Sequence, residues 1–345
     1  MKFSRPAQTL GVVLAGVLLT GMAGGCGPQL HLPNMIQGDW HPPVLSAVTA
    51  RSANTIALEF DEPVTLTQLT IDPEVEIRES RWQNGALEVE GVTPFTAGVE
   101  YWLDLWVEDG AGNVSSILAA VYGLNESLPE IQISEFVCEG SSSHPDWVEL
   151  ELLSDGNIGG LCLYEGSPGI WDSRKTLPAV DLPAGAFIVV HFKPEVIPAE
   201  CDELVLPSES GGKDAHPNAW DFWVNGGDGI PNSTGALTVT AYPDGPILDA
   251  VLYTTKRYDP NDPKLGFGLA SQLEIFQDVV ERGGWTIAGE SVIPEDGLNP
   301  EDSTATRSIC RDPGQPDTDS AADWHITPTS GASPGYVNTT ERYQP

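Results

Sequence analysis

The sequence is poor in positive charge: 16 Lys and Arg stand against 50 Asp and Glu in 345 residues, for a formal charge of −34. A field of that sign repels nucleic acid and anionic lipid, which excludes both as partners. Beyond the first 25 residues the chain has no long apolar run, so a membrane helix of about 20 residues is excluded there. The common catalytic signatures are missing as well: no H-E-x-x-H, no C-x-x-C, no Gly-rich phosphate loop. His191, His216 and His325 lie far apart and match no metal-ligand spacing. Cysteine is scarce. Apart from Cys26 there are Cys138, Cys162, Cys201 and Cys310, an even number that in an exported chain predicts two disulfides, with three connectivities left open.

What the sequence does have begins at the amino terminus. Lys2 and Arg5 precede an uncharged stretch, Thr9 to Gly25, and the small residues Ala23, Gly24 and Gly25 lead into Cys26. This is the pattern of a signal peptide over residues 1–25. It resembles a bacterial lipobox, which implies cleavage before Cys26 and acylation of its thiol and new amino terminus. Two or more chains anchor a protein stably. The resemblance places the chain in the bacterial envelope, at the outer membrane or cell surface, with lipid as its only contact with the bilayer. Ala23 stands where most lipoboxes have Leu, so a secreted protein cut nearby is the alternative. Gly27 offers no inner-membrane retention signal, and residues 26–41 read as a tether.

Short alternating runs follow, among them "TIALEF", "ALEVEG" and "YWLDLWVEDGAGN", at spacings that predict a β-sandwich over residues 42–124. Tyr101, Leu103, Leu105 and Val107 share one face of a strand, and Trp102 and Trp106 flank Asp104 on the other. Asp109, Gly110, Gly112 and Asn113 are expected to supply the positive φ angles of a tight turn. The pattern resembles bacterial Ig-like domains. "GLNESLPE", residues 123–130, reads as a linker. From residue 129 to 340 the order "IQISEF", "DWVELEL", "LPAGAFIVV", "LTVTAYPDGPILDAVLY", "ATRS", "DW" and "SPGYVN" resembles the lamin tail domain. That resemblance implies a second Ig-like sandwich, interrupted by an insertion at about 254–304. Within the insertion Leu269, Leu273, Phe276 and Val280 recur at helical spacing until Gly283 and Gly284. The expected fold is all-β: two tandem Ig-like β-sandwiches, the second lamin-tail-like with a short helical insertion.

Candidate sites are few. The insertion's flanks, "YDPNDPKLG" and "PEDGLNPEDS", crowd hard oxygen ligands together, which makes Asp259, Asp262 and Asp296 candidate Ca2+ ligands. Neither flank has the EF-hand spacing, and solvated loop acids are the competing reading; no other cofactor is expected. "GASPG", residues 331–335, matches G-x-S-x-G in form, but Pro334 follows the serine and has no N–H for an oxyanion. It reads instead as a closing turn, with Asn338 bonding backbone nearby. In "SHPDWVELE" the residues His144, Asp146, Glu149 and Glu151 could suggest acid/base chemistry. Carboxylates alternating with apolar residues are the usual solvent face of a sheet, so no catalytic residue is assigned. Trp220, Phe222 and Trp223 lie in a Gly, Asn and Asp-rich stretch suited to loops that grip a protein or stack on a sugar; the competing reading is that they cap the core. Trp102 and Trp106 pose the same choice. The expected function is non-enzymatic, either binding of a protein or glycan partner through sandwich-end loops or a structural role. The alternative is a metal-dependent hydrolase related to phosphoesterases or nucleases, or the accessory module of one, because bacterial lamin-tail-like domains often accompany such enzymes.

Overall fold

The computed structural model describes residues 39–345. The signal peptide, Cys26 and most of the tether lie outside the described residues. The first sandwich consists of β1 (Leu45–Ser52), β2 (Thr55–Phe60), β3 (Val64–Asp72), β4 (Ile77–Gln83), β5 (Ala86–Gly91), β6 (Glu100–Asp109) and β7 (Val114–Tyr122). They form two antiparallel sheets, β1-β2-β5-β4 and β3-β6-β7. β6 alternates exposed and buried residues along its whole length, as its sequence requires. Leu103, Leu105 and Val107 meet Ile56, Leu58 and Val89 of the facing sheet, and each such buried aliphatic side chain contributes about 2 kcal/mol. In the turn after β6 only Gly112 has a positive φ, of 89°. Asp109 acts through its side chain: Oδ1 accepts from the backbone N–H groups of Ala111 and Asn113, both at 2.8 Å, and Oδ2 from Asn113 Nδ2 at 2.7 Å. Burial opposes ionisation of Asp109, but these bonds prevail and hold its carboxyl below the usual range.

The second sandwich has β8 (Ile131–Val137), β9 (Trp147–Leu152), β10 (Gly156–Asn157), β11 (Cys162–Ser167), β12 (Ile170–Thr176), β13 (Asp181–Leu182), β14 (Phe187–His191), β15 (Ala219–Trp223), β16 (Thr234–Thr240), β17 (Ile247–Thr254), β18 (Ile309–Arg311) and β19 (Trp324–Ile326). One sheet runs β12-β11-β16-β17 and the other β15-β14-β9-β8-β18-β19; β14 and β15 are parallel. Helix α1 (Ala270–Glu281) lies in the insertion and packs against the first of these sheets, burying Phe276 and Val279. Leu273 and Val280 pack beside them, and Leu269 is the exposed residue before the first turn. Gly283, at φ 78°, ends the helix. A Cβ at Gly284 would sit 2.8 Å from a methyl of Ile247, so a larger residue there would have to displace that side chain on the sheet.

The expected linker is packed rather than loose. Asn125 Nδ2 donates to the carbonyls of Asn157 and Gly159, at 2.6 and 2.9 Å, and the N–H of Asn157 donates to the carbonyl of Ser127 at 2.7 Å. Gly98 of the first sandwich meets Gly160 of the second so closely that a Cβ on Gly98 would lie 2.1 Å from the Gly160 nitrogen. Backbone rests on backbone there, so the two sandwiches are seated on each other.

Candidate binding surface

The outward face of the six-stranded sheet carries a row of side chains in register, chemically capable in all but Val189: His325, Cys310, Glu135, Glu149, Val189 and Asp221. Alternation predicts a solvent face for Glu149, but the structure buries it completely, and Glu135 with it. The reason is long-range, because the closing segment of the chain lies over this face. Glu135 accepts from the hydroxyl of Ser308 and from the N–H and hydroxyl of Ser333, the last two at 3.0 Å through Oε2. Glu149 accepts from the Ser134 hydroxyl and from the Gly335 N–H, each at 2.6 Å. Asn338 Nδ2 donates to the carbonyls of Ser134 and Arg311 at 2.8 and 3.0 Å. "GASPG" is therefore a clasp held by two buried acids, and the expected backbone role of Asn338 is realised. Burial pushes both carboxyls up, Glu149 well above the usual range because Glu135 also faces it.

The rest of this face is closed in the same way. His191 Nε2 lies 2.8 Å from Asp221 Oδ1, both buried, and the imidazole stacks on Trp223 at 3.9 Å between centroids. Asp221 also accepts from the His216 N–H at 2.9 Å, and its own N–H donates to buried Glu203 at 2.8 Å. Asp146 caps the N–H groups of Gly140 and Ile230, at 2.7 and 3.1 Å, and His144 pairs with Asp214 at 2.9 Å. Trp220, Phe222 and Trp223, expected on a loop, stand on β15. Phe222 is fully buried, Trp220 packs against the core and Trp223 lies under His191. The Gly and Asn-rich composition that suggested a loop belongs to the residues following β15.

One further expectation is corrected. All four described cysteines are free thiols. Ile309 pairs with Phe136 and Cys310 with Glu135, so Cys138 falls about 10 Å along the strands from Cys310 and its side chain enters the core on the other face. A disulfide needs Cα atoms within about 7 Å. Cys162 belongs to the opposite sheet and Cys201 to an exposed loop. Asp259, Asp262 and Asp296 do not converge. Each caps its own turn, accepting from the N–H groups of Asn261, Lys264 and Ile293 at 2.9, 3.0 and 2.8 Å.

Sequence reasoning missed one arrangement. Cys310 Sγ is 3.4 Å from His325 Nε2, and His325 Nδ1 is 2.6 Å from Asp312 Oδ1, the order of groups in a thiol nucleophile with its base and orienting acid. The residues are separated in sequence by a loop, and only the β18–β19 pairing unites them. The thiol is fully buried. Burial, reinforced by Glu135, raises the Cys310 thiol, and burial holds His325 below its usual value against the pull of Asp312. Neither the thiolate nor access for a substrate is provided. Nearby, Asp249 receives Arg311 Nη2 at 3.0 and 2.9 Å. Burial pushes Asp249 up to about 7 even so. Asp317 and Asp319 have oxygens within 4.8 Å of it, but Arg311 Nη1 reaches Asp317 at 2.5 Å and fills the cationic role there.

On the first sandwich, exposed aromatic and acidic side chains stand side by side. On the outward face of β3-β6-β7, Trp102 and Trp106 are 45% and 44% exposed on either side of Asp104, and Leu118, 67% exposed, sits beside Asp104 on β7. Asp72 and Glu108 are exposed on the same face. Asp72, Asp104 and Glu108 have no ion-pair partner among the described residues, whereas Arg51, Arg78 and Arg81 all lie on the other sheet, paired with Glu59, Glu79, Glu88 and Glu90. The two sheets of one sandwich thus differ in kind: in one, three Arg pair with four Glu, and in the other Asp72, Asp104 and Glu108 stand unpaired among the described residues beside exposed indoles.

Comparison with known proteins gives the following. The family model TP_1001_2nd, described as a protein second domain, matches residues 129–326. An uncharacterized protein of Treponema pallidum (strain Nichols) is 29% identical over 133 residues, which is 38% of this chain and 33% of that protein, so the match spans about a third of the relative's length. Among solved structures, a DUF4876 family protein from Bacteroides thetaiotaomicron VPI-5482 aligns over 82% of this chain and 90% of its own at 11% identity, with a TM-score of 0.27.

Proposed function

We propose, for a chain that belongs to the TP_1001_2nd family, a non-catalytic role as an envelope lipoprotein that binds a partner through its first sandwich. The observation that carries this reading is the contrast between the two sandwiches. In the second, the buried acids and imidazoles of the six-stranded sheet are engaged in fastening loops. In the first, Trp102 and Trp106 stand outward on either side of Asp104, which has no ion-pair partner among the described residues. Half-exposed Trp on a flat face is the residue type that dominates recognition energetics. The lamin-tail resemblance of residues 129–340 agrees with a module that presents rather than reacts, and the lipobox resemblance at Cys26 with display from a membrane surface.

Intact-mass analysis of protein from the membrane fraction is expected to show residues 1–25 removed and acyl chains on Cys26. The variant Trp102→Ala/Trp106→Ala is expected to keep its melting temperature and lose binding to envelope components. The metal-dependent hydrolase remains the alternative expected from the sequence; a separate thiol-dependent hydrolase would use the buried Cys310–His325–Asp312 alignment. Turnover of a phosphodiester or ester by the purified protein, abolished by Cys310→Ala, would overturn the binding proposal.

A further inference from the structure

The charge asymmetry of the first sandwich says more about its partner than exposure alone. Its Arg side chains are committed to the β1-β2-β5-β4 sheet, where Arg51 reaches Glu88 at 2.7 Å and Arg78 reaches Glu90 at 2.6 Å. On the β3-β6-β7 face Asp72, Asp104 and Glu108 have no ion-pair partner among the described residues and are interleaved with indole rings, while Arg174 of the second sandwich reaches Tyr122 beside Glu100 at one end. Residues four apart on a strand face are about 13 Å apart, so Asp104 lies midway, about 7 Å from each Trp position. A cation placed on Asp104 would have an indole on either side, within reach of the roughly 6 Å at which a ring face attracts positive charge. Leu118 beside it offers an apolar contact for the stem of a long side chain.

We infer that this face takes a basic polypeptide segment, with a Lys or Arg side chain seated on Asp104 between Trp102 and Trp106 and further basic residues toward Asp72 and Glu108. The inference rests on the proposed binding role of this sandwich and specifies the partner's chemistry. A second copy of this chain is disfavoured as occupant by its own formal charge of −34. A neutral sugar chain could stack on the rings and donate hydroxyls to the carboxylates, but it would leave their charge uncompensated, which a basic segment would not.

The test uses the mature chain and a synthetic decapeptide of alternating Arg and Ala, with a Glu–Ala decapeptide and a neutral chito-oligosaccharide as controls, read by calorimetry. The Arg–Ala peptide is expected to bind. Affinity should fall about fivefold in Asp104→Asn, the upper range for one exposed ion pair, and at least about tenfold in Trp102→Ala/Trp106→Ala. Raising salt to about 0.5 M should weaken it by a similar factor. The charge-matched triple variant Glu274→Gln/Glu281→Gln/Glu290→Gln, at exposed sites in the insertion, should leave binding unchanged. If that remote triple weakens binding as much as Asp72→Asn/Asp104→Asn/Glu108→Gln, the attraction is diffuse and the inference is overturned. Binding of the oligosaccharide that survives Asp104→Asn but not loss of the two Trp would also overturn it while leaving the binding role intact. A dimer dissolved by the Trp substitutions would do the same. Loss of every ligand together with hydrolytic turnover would instead sink the binding role.

Discussion

The clasp over the six-stranded sheet gives the sharpest stability prediction. Glu149 is fully buried, and its two oxygens meet the Ser134 hydroxyl and the Gly335 N–H, each at 2.6 Å. Glu149→Ala strands both donors in a dry site, at about 1–3 kcal/mol each, so about 4 kcal/mol in total. For a domain of this size that corresponds to a fall of about 10 °C in Tm, measured by calorimetry at pH 5. Glu149→Gln keeps one acceptor for Gly335, and its amide can donate to the Ser134 hydroxyl, so its Tm at pH 5 should stay near that of the parent. The two variants also differ in pH response. The folded carboxyl is raised well above its ordinary value of 4.5, so between that value and the folded one the native state binds more protons than the unfolded chain. Stability is then fully present below about 4.5 and declines as pH rises, by up to about 1.4 kcal/mol per unit for one proton. Glu149→Gln removes this slope and should overtake the parent toward neutral pH. Equal losses in Gln and Ala, or a parent profile as flat as that of the Gln variant, would refute the assignment of a buried carboxyl holding the clasp.

Other outcomes follow from the same contacts. Gly98→Ala combines a φ of 74° with a Cβ 2.1 Å from Gly160, and is expected to cost about 3 kcal/mol or more and to split the calorimetric transition as the sandwiches separate. In native protein a thiol reagent such as DTNB should titrate only Cys201 of the four described cysteines, because Cys138, Cys162 and Cys310 are buried; rapid reaction of Cys310 would revive the nucleophile reading. Arg311→Met should cost about 3–5 kcal/mol, since it leaves Asp249 buried without its guanidinium, and Asp249→Asn in the same chain should recover part of that loss in a urea melt. Chelation should leave Tm unchanged, as Asp259, Asp262 and Asp296 each cap a turn; a fall in Tm on adding EGTA would point to a structural cation.

Much of the fold could be read from local pattern. The strict alternation of β6 gave both its core face and its outward Trp102 and Trp106, and the spacing of Leu273, Phe276 and Val280 gave the inserted helix. What could not be read depended on distant chain. Glu149 obeys the alternation of a solvent-facing position, yet the residues that cover it, Ser333 to Gly335, are more than 180 positions away. The cysteines suggested disulfides by number alone, and only strand register shows that Cys138 and Cys310 point to opposite faces. The aromatic cluster of β15 and the Cys310–His325–Asp312 alignment likewise needed the sheet order, which short-range sequence does not carry. The charge contrast between the sheets of the first sandwich was legible only once each Arg had been placed.

The most direct test of the binding account is site-specific photocrosslinking on intact cells. A photoreactive residue at Leu118, next to Asp104 on the exposed acidic and aromatic face, should capture a discrete basic protein, and the adduct should vanish with Trp102→Ala/Trp106→Ala. The same group at Arg78, on the opposite sheet, should capture none. Equal capture from both sheets, or a discrete adduct from Arg78 and none from Leu118, would contradict the account.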